Sequence, residues 1–139
     1  AYVDGCLYHY RNNAQSMTAA FDPHLTETIF IPLDILRTYF DTDKRALFAQ
    51  YQMYAAYLLQ LWVRNQASLD CDLDRKGLRQ SCARVCQHQE LRALLASVPG
   101  ALPRQVAVAV HAVQQQKPGQ LYLLIKAWNL YYKLRNGRA

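Results

Sequence analysis

The chain has 139 residues, of which 52% are hydrophobic and 19% are charged, and its net charge is +6. A chain of this length buries about two-thirds of its unfolded surface, so it needs no disulfide or metal staple, and we expect a single domain over residues 1–139. Five glycines and five prolines are few for this length, which argues against an all-β protein built from many turns.

In chain order, residues 1–24 are mixed in composition, and we expect a loosely ordered N-terminal arm or a short helix there. Asp22-Pro23 marks a break in the chain. The β-branched stretch 26–31 is compatible with a short strand or an extended lead-in. Pro32 suits the first turn of a helix over about 33–40.

The clearest helix is predicted over residues 41–66, where Asp41 or Thr42 can cap the start. Apolar residues then recur at spacings of four and three, which is the spacing of one helix face. They are Leu47, Tyr51, Tyr54, Leu58 and Leu61. We expect the middle of this face, from Tyr54 to Leu61, to be buried.

Residues 46–63 contain no charged side chain, which raises the alternative of a membrane span. Three glutamines and three tyrosines lie within this stretch, and polar amides are costly in hydrocarbon. The sequence therefore favours a central helix that is buried against neighbours on several sides, and no membrane span.

Further helices are predicted after residue 67. One begins near Ser68 or Asp70, where three aspartates crowd the positive end of the helix dipole. Its inward residues are Leu78, Cys82 and Val85. The next helix covers about 90–98, and its inward residues are Leu91, Leu94 and Leu95.

The stretch 105–113 alternates valine and alanine, so its period also permits a strand, but its alanine content favours a helix over about 102–116. A last helix is predicted over about 120–135. Lys126, Asn129 and Lys133 face outward in it. One side of it carries Leu121, Leu124, Ile125, Trp128, Tyr131 and Tyr132. The predicted fold is an all-α, single-domain bundle of five or six helices.

The four cysteines are Cys6, Cys71, Cys82 and Cys86. A zinc site formed by the last three with His88 would lack the paired CxxC knuckle of structural zinc sites. Cys82 and Cys86 share a helix face, so we expect free, partly buried thiols and no metal. The first residues show neither the basic nor the apolar region of a signal peptide, and a cytoplasmic location is expected. Ala1 indicates a trimmed start or a processing site.

The sequence contains none of the GxSxG, P-loop, GxGxxG or HExxH patterns. The carboxylates at 41 and 43 and at 70, 72 and 74 lie at predicted helix starts, where capping explains them. We therefore expect a non-enzymatic protein without a cofactor.

The basic residues are concentrated in one half of the chain. Residues 1–69 contain five Lys/Arg and six Asp/Glu, whereas residues 70–139 contain eleven and four. After Asp74 the only acid is Glu90. Because like charges repel one another, such a surface usually meets a polyanion, most often nucleic acid or an anionic membrane.

Arginine forks bind phosphate, and neighbouring aromatic rings stack on bases. Trp128 and Tyr131 are expected inside, and Tyr132 is expected on the flank as the stacking residue. The predicted nucleic-acid-binding residues are Arg75, Lys76, Arg79, Arg84, Arg92, Arg104, Lys126, Tyr132, Lys133 and Arg135.

In size, helical character and basic half, the chain resembles small helical subunits of large nucleoprotein assemblies, such as the small subunit of CRISPR effector complexes. The resemblance is based on these general properties, and no sequence motif supports it. The basic C-terminal half and the lack of a sequence-reading motif predict sequence-tolerant binding of RNA or single-stranded DNA. The acidic-to-neutral N-terminal half is expected to pack the core and dock other protein subunits. The alternatives are an adaptor whose basic face docks an acidic protein or a membrane surface, and an enzyme with an unrecognised site.

Overall fold

The computed structural model describes residues 20–38 and 45–137, and every regular element in these ranges is an α-helix. Six helices have six residues or more, and a single turn precedes them. The elements are α1 (Leu25–Thr28), α2 (Ile31–Leu36), α3 (Arg45–Gln66), α4 (Arg75–Gln87), α5 (Gln89–Leu95), α6 (Arg104–Gln114) and α7 (Pro118–Asn136). They form one compact bundle, so the predicted all-α bundle is confirmed. Most of the predicted N-terminal arm, residues 1–19, lies outside the described residues.

The centre of the bundle is α3, which packs against α5, α6 and α7. Trp62 is fully buried at its middle, and Leu58 is only 5% exposed. The predicted face is partly wrong, because Tyr54 is 36% exposed and Leu61 is only partly buried. Small residues such as Ala55 are buried instead and let neighbouring helices approach closely. The buried face is therefore rotated by about a quarter turn from the predicted one.

Over residues 26–31 the chain runs from α1 through a turn at residues 29–30 into the start of α2, and the prediction of a strand or an extended lead-in there is wrong. The Trp62 indole N–H donates to the Thr26 hydroxyl at 2.9 Å. Phe30 and Leu33 are buried in the core. These tertiary contacts outweigh the strand preference of β-branched residues. The following helix, α2, covers Ile31–Leu36 and has Pro32 in its first turn. It begins two residues before the predicted start at 33, and residues 39–40 of the predicted helix lie outside the described residues.

The start of α4 is capped by Asp74, whose carboxylate accepts the Gly77 N–H at 2.6 Å. The predicted caps, Ser68 and Asp70, lie before the helix. The inward residues of α4 are as predicted, and Cys86 joins them. In α5 the three predicted leucines are buried, and His88 Nδ1 accepts the Leu91 N–H at the helix start.

The last two helices pack against each other and against α4. Residues 104–114 are helical, which confirms the helix over the strand. In α7, Leu121 and Ile125 are fully buried, but the prediction that Tyr131 lies inside is wrong, since it is exposed. Tyr132 is the partly buried ring that packs against the core. Asn129 does not face away either: it donates to the Ala67 and Ser68 carbonyls at 3.2 and 3.1 Å.

Cys82 and Cys86 are buried, free thiols on the inner face of α4. Within residues 20–38 and 45–137, no group of three or more metal-ligating side chains is placed to hold an ion. None of the helices in these ranges is both long and apolar enough to cross a membrane.

Replacing Leu58 with alanine should lower the free energy of unfolding by about 2–5 kcal/mol, because the core leucine leaves a cavity. The matched control is Tyr57→Ala, since the neighbouring tyrosine is exposed and should change stability little. Urea denaturation measures both variants. Equal losses for the two would contradict the placement of Leu58 in the core.

The two α4 thiols should be unreactive in the folded protein. Burial raises the pKa of Cys82 to about 12 and that of Cys86 to about 11. In a Cys6→Ser/Cys71→Ser variant, a disulfide reagent at pH 8 should label both remaining thiols only after denaturation. The two buried, neutral thiols contribute fully to the stability of the folded protein below about pH 8.5, the usual thiol pKa. Their contribution to the free energy of unfolding falls as the pH rises toward the raised pKa values of the folded protein. Rapid labelling of native protein would contradict the burial.

Candidate nucleic-acid interface

Three cations lie in the first two turns of α4. Arg75, Lys76 and Arg79 are exposed there, directly after the Asp74 cap. Cations near a helix N-terminus are disfavoured by the helix dipole. The helix dipole therefore does not account for Arg75 and Lys76 in the first turn.

The start of α7 lies opposite these cations. The Arg79 guanidinium carbon is 5.2 Å from the centroid of the Tyr122 ring. This is the geometry of a cation–π contact, which restrains the arginine while leaving its charge in place. Lys117, just before α7, adds a further exposed cation to the same region.

These residues enclose an open cleft of about 750 Å³ between α4 and α7. Its cations are Arg75, Arg79 and Lys117, and its floor is formed by Pro118, Gly119, Gln120, Tyr122 and Leu123. No acid of the described chain lines it. A largely apolar cleft with a few convergent cations suits a ligand that carries both a flat ring and a phosphate.

A second groove of about 600 Å³ runs along α4 and shares Arg75 and Arg79 with the cleft. Lys76, Gln80 and Ala83 also line it, and Asp74 lies at its edge. The Asp74 carboxylate is engaged by the Gly77 N–H, but its charge still repels phosphate. The acid-free cleft is therefore the better anion site, and the groove extends it past Lys76.

Two of the predicted site residues have partners inside the protein. Arg84 forms an ion pair with Glu27 of α1 at 3.0 Å. The partly buried Arg92 donates to the Gln116 side-chain oxygen at 2.5 and 2.6 Å, with the amide turned so that this oxygen faces the arginine. Both side chains are explained by internal contacts.

The other predicted residues are spread over α6 and α7. Arg104 and Lys126 are exposed. Lys126 lies near Cys71, which precedes α4: burial raises the pKa of the Cys71 thiol, and the nearby lysine charge partly opposes this rise. Lys133 and Arg135 lie in the last turn of α7, where the helix dipole favours cations. Tyr132 packs edge-on against Trp128 at 6.2 Å, so it is a packing residue first.

Glu90, the last acid of the sequence, faces away from the cleft. Its carboxylate lies 3.6 Å from Arg37 Nε, and it accepts from the Tyr51 hydroxyl at 3.3 Å. The Leu33 carbonyl is the alternative acceptor for the single proton of this hydroxyl. Burial, and next the Glu90 charge, raise the pKa of Tyr51. This acid therefore ties α5 to α2 and α3, and does not offset the charge of the cleft.

The sequence-predicted site does not include Lys117, Tyr122 or Leu123. Lys117 and Tyr122 are separated from Arg79 by 38 and 43 residues in the chain. Only the packing of α4 against α7 places them together. The usable signal was the tripeptide Lys117-Pro118-Gly119, because proline and glycine mark a break between helices and a connecting segment exposes its side chains at the surface.

Comparison with known proteins yields no match to a family model, to a curated protein or to a solved structure. The chemistry of the cleft and of the exposed surfaces is therefore what indicates a function.

Proposed function

We propose that the protein is a non-enzymatic, cytoplasmic nucleic-acid-binding subunit of a larger nucleoprotein complex, and that the α4–α7 cleft holds the backbone of a single strand. The observation that carries this proposal is the convergence of Arg75, Arg79 and Lys117 on an acid-free cleft with an apolar floor. Phosphate needs the cations, and a sugar or base needs the floor.

Arginine presents a planar fork of donors that matches two phosphate oxygens, whereas lysine acts as a point charge. Arg75 and Arg79 are one helical turn apart, so both can reach neighbouring phosphates. The Tyr122 contact holds Arg79 over the cleft before any ligand arrives. Such prior ordering reduces the entropy lost on binding.

The floor favours a strand whose bases are accessible. Tyr122 and Leu123 offer ring and aliphatic surface next to the cations. Stacking and apolar contact tolerate any base, since every base has a π-face. We therefore expect little sequence preference, and weaker binding of a duplex, whose bases are covered.

The second candidate function is an adaptor that docks an acidic protein, and the exposed apolar side chains of α7 favour it. Both functions use the same positive field, but they need different ligands. A polyglutamate that matches the single-stranded RNA in length and charge distinguishes the two functions in a competition experiment. It should compete poorly with single-stranded RNA if the cleft holds phosphate and bases, and equally well if the basic face is an adaptor surface.

Binding of fluorescent oligo-uridylate and oligo-thymidylate should weaken linearly with salt on a log–log plot. Each phosphate contact contributes a slope of about 0.7 for single strands, so an Arg75→Gln/Arg79→Gln variant should lose about 1.4 from the slope. The matched control is Arg64→Gln, because Arg64 is an exposed arginine of α3 outside the cleft. Fluorescence anisotropy measures the affinities.

Salt-independent binding would contradict the proposal. The same conclusion follows if the Arg64 variant loses as much slope as the cleft variant, since the effect would then come from net charge alone.

A further inference from the structure

α7 carries a second apolar face in addition to the one that packs into the bundle. Leu123, Leu130 and Leu134 are 66%, 57% and 56% exposed. Ala127, between the first two, is also exposed. These four residues, the α7 outer seam, follow one another at spacings of four, three and four.

The outer seam lies directly opposite the buried face. Leu130 is nine residues after Leu121, which at 100° per residue is about half a turn away. Leu121 is fully buried and Leu130 is exposed. A surface helix needs one apolar stripe to pack on its core. A second stripe on the opposite side indicates a surface that meets another molecule.

The spacing of the seam indicates which shape fits it. The three leucines fall within about 40° around the helix axis, which is the narrow stripe of paired helices rather than the broad face of a helix lying in a membrane. Alternating steps of three and four residues form the contact line of a coiled coil. A helix packed along α7 therefore covers these leucines most completely.

The charges beside the seam indicate which helix fits. α7 has no acidic residue, and Lys126 and Lys133 are exposed on it. On the helical wheel both lysines fall within about 60° of Leu130, on one flank of the seam. A second copy of α7 would bring only further cations to this line, and like charges across a helix pair oppose association.

We propose that the α7 outer seam docks an acidic amphipathic helix of a partner protein. Leucine-like side chains of the partner cover Leu123, Leu130 and Leu134, and its carboxylates pair with Lys126 and Lys133. This docking depends on the exposed residues of α7 and is independent of nucleic-acid binding in the cleft. It places the protein-docking surface in the basic half, whereas the sequence predicted docking through the N-terminal half.

The test uses two designed peptides of about three heptads each, with leucine at the seam positions. One has glutamate at the flanking positions, and the other has lysine there. Isothermal titration should show the glutamate peptide binding at least tenfold more tightly than the lysine peptide. A Lys126→Glu/Lys133→Glu variant should reverse this preference.

Leu130→Gln/Leu134→Gln should weaken the glutamate peptide at least tenfold while the thermal unfolding midpoint stays unchanged, since both side chains already face solvent. The matched control is Ile35→Gln, because Ile35 of α2 is 56% exposed and lies outside the seam. It should bind the peptide like the parent protein.

Three outcomes would overturn the proposal. The first is that the two peptides bind equally well. The second is that the protein sediments as a dimer and the leucine variant does not. The third is that phosphatidylserine vesicles displace the glutamate peptide. The Arg75→Gln/Arg79→Gln variant should still bind the peptide. Loss of oligonucleotide binding and loss of peptide binding are therefore separate results, and either proposal can fail alone.

Discussion

The burial of α3 on several sides is the constraint on which the rest of the structure depends. Trp62 is fully enclosed, and its only polar atom is satisfied by Thr26. A helix surrounded in this way cannot carry charge without a large desolvation cost, and residues 46–63 carry none. The charged residues therefore lie outside this stretch, and α4 and α7 together carry seven of the sixteen Lys/Arg residues.

Packing of α4 against α7 places Arg75, Arg79 and Lys117 together in the candidate site. The cations of α4 lie at its N-terminal end, where the helix dipole opposes them, and the start of α7 supplies Tyr122 to hold Arg79. Internal partners occupy other cations, as Glu27 does for Arg84 and Gln116 for Arg92. What distinguishes Arg75, Arg79 and Lys117 is that none of them forms an ion pair with an acid of the described residues.

The sequence predicted the helices better than their orientation. Periodicity identified α3, yet it placed Tyr54 and Leu61 at the centre of the buried face instead of Ala55 and Trp62. Apolar residues cover well over half of this helix, so the pattern alone does not fix which of them pack inward. In α7 it identified the side that packs on the bundle, where Leu121 and Ile125 are buried, but it extended that side too far round the helix by including Tyr131. At α1, contacts with α3 fixed a helix where local propensity favoured extended chain.

The two proposed surfaces meet at Leu123, which lines the cleft and begins the outer seam. Their physics differs although both ligands are anionic. Phosphate binding in the cleft gains from counterion release, so it weakens steeply with salt. Docking on the seam gains mainly from apolar burial, which salt does not screen, and the lysines chiefly select the partner. Under the two proposals, α7 binds a nucleic acid near its start and a protein helix along its outer side, because cations lie beside its start and leucines line its outer side.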